Sequence, residues 1–164
     1  MRNRLAFYED AKAESGSIIF LDLDGFKNLN DTYGHEIGDY YLKGVALKLI
    51  QITAELSATP YRFGGDEFVI KICKSMLKEK VINIAKQILA ELKVPVIIKS
   101  EDYKLSCSIG VSFYKEIFTI DDIIHQADLA MYQAKRGGKS QYALYDEKLN
   151  YVDCRRQRSA DRNM

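Results

Sequence analysis

An excess of charge of either sign is the first thing this 164-residue chain lacks. Its 24 Lys and Arg stand against 23 Asp and Glu, so no overall field draws it to nucleic acid or to an anionic membrane, and any phosphate binding must be local. Long apolar runs are missing too. No segment approaches the roughly 18 residues of a membrane span, and Met1-Arg2-Asn3-Arg4 has no apolar signal-peptide core. These absences lead us to expect a soluble, cytoplasmic fragment without direct membrane contact, whose parent carries any membrane or sensory segment elsewhere. Cysteine is scarce: three residues, an odd number without metal-ligand spacing. Cys73 and Cys107 lie in apolar, strand-like runs, which suits reduced, buried thiols.

Several phosphate and metal motifs are likewise absent. Gly138-Lys139-Ser140 is only the tail of a phosphate loop, and it follows a helix instead of opening one. Asp22-x-Asp24-Gly25 does not open a calcium loop, because its twelfth position is Tyr33 where a bidentate Glu is needed. His35-Glu36 lacks the second histidine of a zinc-protease helix, whose place is taken by Asp39.

What is present alternates helix and strand patterns. Residues 3–14 read as a short helix and 17–23 as a buried strand. From Asp39 onward Leu42, Val45, Ala46, Leu49 and Leu56 recur at helical spacing, up to Pro60. Tyr61–Phe63 and Glu67–Cys73 flank Gly64-Gly65 as a tight hairpin. A further helix carries Leu77, Val81, Ile84, Ala85, Ile88 and Leu92 inward and ends before Pro95. Val96–Lys99 reads as a short edge strand. Leu105, Cys107, Ile109, Val111 and Phe113 alternate with small polar residues as a strand with one buried face. A last helix, with Ile120, Ile123, Ile124, Ala127, Met131 and Ala134 inward, stops at Gly137-Gly138, and Tyr142–Tyr145 closes the series as a strand. The hairpin forces at least one antiparallel pair, so the expectation is an α+β sandwich with helices flanking a mostly antiparallel sheet. Residues 1–146 form the domain, and the polar stretch 147–164 reads as a linker or helix toward an absent domain.

Two acidic clusters offer chemistry: Asp22-Leu23-Asp24 at the end of the first strand, and Asp66-Glu67 just past the double glycine. Carboxylates at strand ends suit Mg²⁺, which takes oxygen ligands and keeps waters and substrate phosphates. Asp22 and Asp24, two apart, would share a face, although a lone Asp-x-Asp more often caps a turn. Lys27, Lys135 and Lys139 are candidates for a triphosphate, where the bland alternative is a solvated surface lysine.

The segment Arg62-Phe63-Gly64-Gly65-Asp66-Glu67-Phe68 resembles the signature of the GGDEF family of diguanylate cyclases. The upstream run Asp22 to Asp39, and downstream Ser108-Ile109-Gly110-Val111 and Ala127 to Lys135, are similar to that family in order and spacing, covering about residues 3–146. Asn3-Arg4 resembles the end of the family's usual lead-in, which suggests an excised domain. The resemblance implies a palm-like, ferredoxin-related sheet. It also implies a reaction in which two GTP condense into cyclic di-GMP with loss of pyrophosphate. Position by position, it implies that Asp22, the Leu23 carbonyl and Asp66 hold Mg²⁺ (or Mn²⁺ in its place), and that Glu67 supports the metal site or proton removal. Asn30 and Asp39 would read guanine. Lys27, backbone N–H groups near Phe26, Lys135 and Lys139 would hold the triphosphate, while Gly64 and Gly65 leave room for the nucleotide. One domain holds one GTP, so a second such domain must face it in a homodimer.

Two departures stand out. The family's inhibitory Arg-x-x-Asp, five residues before the glycine pair, is replaced by Glu55-Leu56-Ser57-Ala58, so product inhibition there is not expected. Lys139 and Ser140 stand where arginine and asparagine are common. The tail after Tyr145 is similar to a helix leading into an EAL phosphodiesterase domain. The rival reading is therefore a catalytically silent GTP-binding domain that regulates such a partner.

Overall fold

A computed structural model describes residues 1–147; the expected linker over 147–164 lies, from residue 148 onward, outside the described residues. In chain order the elements are β1 (Arg2–Asn3), α1 (Arg4–Ala13), β2 (Gly16–Leu23), α2 (Phe26–Tyr33), α3 (His35–Thr53), β3 (Ala58–Gly64) and β4 (Glu67–Cys73). They continue with α4 (Lys78–Leu92), β5 (Val96–Ile98), β6 (Glu101–Tyr103), β7 (Cys107–Ser112), α5 (Ile120–Arg136) and β8 (Gln141–Leu144). Six strands make one sheet in the order β1-β3-β4-β2-β7-β8. Its four central strands pair antiparallel, and the outermost pairs, β1 with β3 and β7 with β8, are parallel. This is the α+β sandwich expected, with a mixed, mostly antiparallel sheet.

Alternation along β2 and β4 divides the core in two. Ile19, Leu21, Leu23, Phe68, Ile70 and Ile72 pack with the inner faces of α3 and α4. Ile18, Phe20 and Val69 pack on the opposite face with Phe7 of α1 and Ile123, Ala127 and Met131 of α5. Because helices cover both sides, β7 is buried along its whole length, whereas one buried face was expected. The reason lies in its small residues. A Cβ on Gly110 would come within 1.9 Å of the Ala127 carbonyl, so α5 presses directly on this strand, and the Ser112 hydroxyl donates to Gln126 Oε1 of α5 at 2.7 Å.

Other expectations shift at element ends. The helix expected from Asp39 begins at His35, and residues 26–33, without a predicted element, form α2 between Gly25 (φ 79°) and Gly34 (φ 90°). Leu56 falls beyond the end of α3 at Thr53, and Leu77 precedes α4 as its N-cap, so both are exposed instead of packed. The edge strand at Val96 pairs with β6 in a separate hairpin instead of joining the main sheet. That hairpin lies close to α3, since a Cβ on Gly44 would reach within 2.5 Å of the Val96 side chain.

Candidate active site

The centre of the site is the C-terminal end of β2. In the sheet register Asp22 lies opposite Glu67 of β4 and Ser108 of β7. The Leu23 N–H donates to the Asp66 carbonyl at 3.2 Å, which folds the β3–β4 turn onto the end of β2. The two carboxylates expected to converge, Asp22 and Asp66, therefore do so. Burial pushes the Asp22 carboxyl up to about 7; the Lys135 ammonium opposes that rise, and the Asp66 charge adds to it. Lys135 of α5 reaches Asp22 Oδ2 at 2.8 Å. The other oxygen, Asp22 Oδ1, is buried with no donor among the described residues.

This donor set fits a hard cation. Two carboxylates crowd a partly dry site beside one lysine, and the buried Asp22 Oδ1 has no donor among the described residues, so a cation there would offset the crowded charge and engage that oxygen. No cluster of three His, Cys, Asp or Glu side chains forms a cage among the described residues. The Asp22 and Asp66 carboxylates suit Mg²⁺, which is commonly held by one or two carboxylates, with waters and phosphate oxygens completing the shell.

The turn itself is open. Neither Gly64 nor Gly65 has a left-handed φ, so the hairpin is not one of the primed types and its backbone does not demand glycine. A Cβ at Gly65 would meet nothing within 4 Å, and one at Gly64 only Glu67 Oε2, at 3.6 Å. The space over Asp66 and Glu67 is thus available to a ligand and unused by the protein. Arg62, set off from Gly64 by a bulge, donates to the Gly65 carbonyl at 3.0 Å and fixes the turn.

On the other flank, α2 begins at Phe26, which is buried in the larger core and anchors the helix. Gly25 is its N-cap and offers no side chain to the first N–H groups, so this end of α2 suits an anion. Lys27 is exposed beside it. Asn30 Oδ1 is buried without a donor and lies against α3, where a Cβ on Gly38 would come within 1.8 Å of it. Glycine at 38 is therefore what lets the Asn30 side chain lie against α3, one residue before Asp39. Asp39 is exposed and lines a cavity of about 390 Å³ with Met1, Leu42, Lys43, Ala46 and Arg62. Lys139 is exposed in the turn after α5, where it and Ser140 both take left-handed backbone, φ 62° and 49°. Glu55 to Ser57 form the exposed turn before β3, which starts at Ala58.

Asp24, with no site role in the expected set, ties these parts together through Ser106, Ser108 and Ser140. Asp24 lies just past β2, buried, and accepts hydrogen bonds from the Ser106 hydroxyl (2.6 Å), the Ser108 hydroxyl (2.7 Å) and the Ser140 N–H (3.1 Å). Sequence reasoning grouped Asp24 with Asp22 as an acidic pair; in the fold its oxygens are already taken by the protein. The available signal was the pair Ser106 and Ser108, two hydroxyls at strand spacing.

A family model described as "Diguanylate cyclase, GGDEF domain" matches residues 3–141. The chain is 35% identical over 134 residues to the cyclic di-GMP phosphodiesterase PdeR of Escherichia coli, covering 81% of this chain and 20% of that protein. It is also 35% identical over 139 residues to diguanylate cyclase A of Treponema denticola, covering 81% of this chain and 36% of that protein. The chain therefore spans a fifth to about a third of these relatives' lengths. Among solved structures it resembles the GGDEF domain of PA1120 (YfiN or TpbB) from Pseudomonas aeruginosa, with a TM-score of 0.78, 30% identity, and 89% and 97% of the two chains covered.

Proposed function

The chain belongs to the GGDEF family of diguanylate cyclase domains, and from that premise we propose that it condenses two GTP molecules into cyclic di-GMP with release of pyrophosphate. The observation that carries this reading is the pairing of Asp22 and Asp66 across the β2 end, with Asp22 Oδ1 buried and undonated. A site built only to stabilise the fold would satisfy that oxygen or exclude it from the interior.

In this reading Asp22, Asp66 and the Leu23 carbonyl hold Mg²⁺, with Mn²⁺ as a substitute. The bound ion lowers the pKa of the attacking 3′-hydroxyl and offsets charge on the α-phosphate. The residues of the chain then bind and orient. Asn30 accepts from and donates to guanine, and Asp39 accepts from its N1 and N2 hydrogens. Lys27 and the uncapped N–H groups at Phe26 take phosphate oxygens, as do Lys135 and Lys139. Glu67, whose carboxylate borders Gly64, supports the metal site or takes the hydroxyl proton. Gly64 and Gly65 keep the approach to the turn open. The 3′-oxygen of one GTP bonds to the α-phosphorus of the other as the bond to pyrophosphate breaks; a second such step closes the ring. One chain supplies one such site, so two copies face each other and catalysis rests on that alignment.

The rival is a silent GTP-binding domain regulating an attached EAL phosphodiesterase; it is favoured by a relative named as a phosphodiesterase of which this chain spans a fifth. Incubating the purified chain with GTP and Mg²⁺ separates the two. A cyclase releases pyrophosphate and forms cyclic di-GMP, whereas a sensor binds GTP and releases neither.

A further inference from the structure

We propose that Asp24 is a positioning residue for the triphosphate: through hydrogen bonds it holds the strained Lys139–Ser140 turn beside the end of β2 and so sets where the Lys139 ammonium sits. This rests on the GTP-binding reading above and assigns a role to a residue that reading leaves out.

The geometry points there from three directions. First, Asp24 is 7% exposed, and each of its oxygens is used. Oδ1 accepts from Ser108; Oδ2 accepts from both Ser106 and the Ser140 N–H. Its own N–H donates to the Ser106 carbonyl at 2.8 Å. One side chain thereby joins the end of β2, the start of β7 and the turn between α5 and β8.

Second, the turn it grips is one the chain does not adopt without support. Lys139 and Ser140 are consecutive non-glycine residues in left-handed backbone, a conformation that costs an L-residue roughly 1–2 kcal/mol each. The turn's other links reach back to the end of α5: the Lys139 N–H and the Gln141 side-chain amide both donate to the Ala134 carbonyl. The bond from the Ser140 N–H to Asp24 is what ties the turn to the end of β2. Such strain persists where the surroundings over-determine it, and it collects at ligand clamps.

Third, α5 and the turn after it reach the end of β2 twice, within six residues. Lys135 touches Asp22, and the Ser140 N–H touches Asp24. The first contact places a lysine on the metal-site carboxylate, and the second fixes the following turn over the same strand end. The spacing Asp22-x-Asp24 thus serves two different tasks.

Charge and position predict opposite outcomes for loss of this carboxylate. Removing a negative charge near a triphosphate site strengthens binding of a polyanion if charge alone matters; releasing the Lys139 turn weakens it. Binding of Mg²⁺ with a non-hydrolysable GTP analogue, and separately of guanosine, is titrated into the full 164-residue chain and its variants. Asp24→Ala is expected to weaken the triphosphate analogue about tenfold, the loss expected for one hydrogen bond to a charged group, while guanosine binding stays unchanged. Asp24→Asn restores most of the affinity, because its amide oxygen takes the Ser106 hydroxyl and the Ser140 N–H while its amide nitrogen donates to Ser108. The double variant Ser106→Ala with Ser108→Ala keeps the carboxylate but loosens it, and shows the same selective loss; it serves as the test if Asp24→Ala does not fold.

Unchanged or tighter binding of the analogue by Asp24→Ala overturns the proposal. So does a loss shared in proportion by guanosine, or a double variant that binds like the wild type. If the wild type itself fails to bind the analogue, the GTP reading falls and takes this proposal with it; if only the variants behave like the wild type, the positioning role alone falls.

Discussion

The main-chain bond from the Leu23 N–H to the Asp66 carbonyl, 3.2 Å long, ties together two acidic segments more than forty residues apart in the chain. It explains why the glycine turn and the β2 end form one site. The antiparallel register continues the link, with Asp22 facing Glu67. Metal binding and nucleotide alignment in a cyclase both depend on that convergence.

Asp66→Asn removes the charge that helps raise the Asp22 carboxyl. In metal-free buffer the variant should melt no lower than the wild type, and a gain of about 1 kcal/mol from relieved repulsion would appear as roughly 2–4 °C in a domain of this size. Pyrophosphate release should be abolished, and the Mg²⁺-dependent rise in Tm shown by the wild type should vanish. A variant that keeps both properties would remove Asp66 from the metal site.

Gly65→Ala separates folding from function. The backbone at 65 is not left-handed and a Cβ there meets no atom of the protein, so stability should be unchanged or rise by about 0.4–1 kcal/mol through the unfolded chain. Turnover of GTP should fall about 100-fold, since a methyl over Asp66 displaces the nucleotide. Chemical denaturation and a pyrophosphate assay on the same preparation check both halves.

Gly38→Ala tests the guanine reading. Its Cβ would strike Asn30 Oδ1 and drive that side chain away from α3. Discrimination of GTP from ATP should drop by an amount worth about 1–3 kcal/mol, the cost of leaving a buried polar group unpaired. Competition binding with the two nucleotides measures it; unchanged selectivity would move guanine recognition elsewhere.

Added cyclic di-GMP should not inhibit the chain through residues 55–58, where Glu55 stands in place of an arginine in the exposed turn before β3. Micromolar binding that is lost on mutating Glu55 would contradict this.

How far the sequence announced all this depends on the range of the interaction. The β3–β4 hairpin was legible because its turn residues and its flanking alternation are contiguous. α5 was legible because Ile123, Ala127, Met131 and Ala134 repeat at helical spacing, and all four are buried. For β7, the period of two showed which side chains share a face but not what covers them, so serines that pack under α5 read as solvent-facing. α2 is eight residues long and bracketed by two left-handed glycines, too short to show a period. Asn30 and Asp39 were accessible only through resemblance, and the seat of Asn30 against α3 rests on Gly38. Asp24 was misgrouped because its partners lie 82, 84 and 116 positions away, beyond any local pattern.

The most direct test of cyclase activity is the initial rate of pyrophosphate release with saturating GTP and Mg²⁺, measured against protein concentration. A homodimeric cyclase predicts a rate that climbs with about the square of concentration where monomers dominate, accompanied by cyclic di-GMP. GTP binding with no pyrophosphate at any concentration would contradict it and leave a regulatory domain in its place.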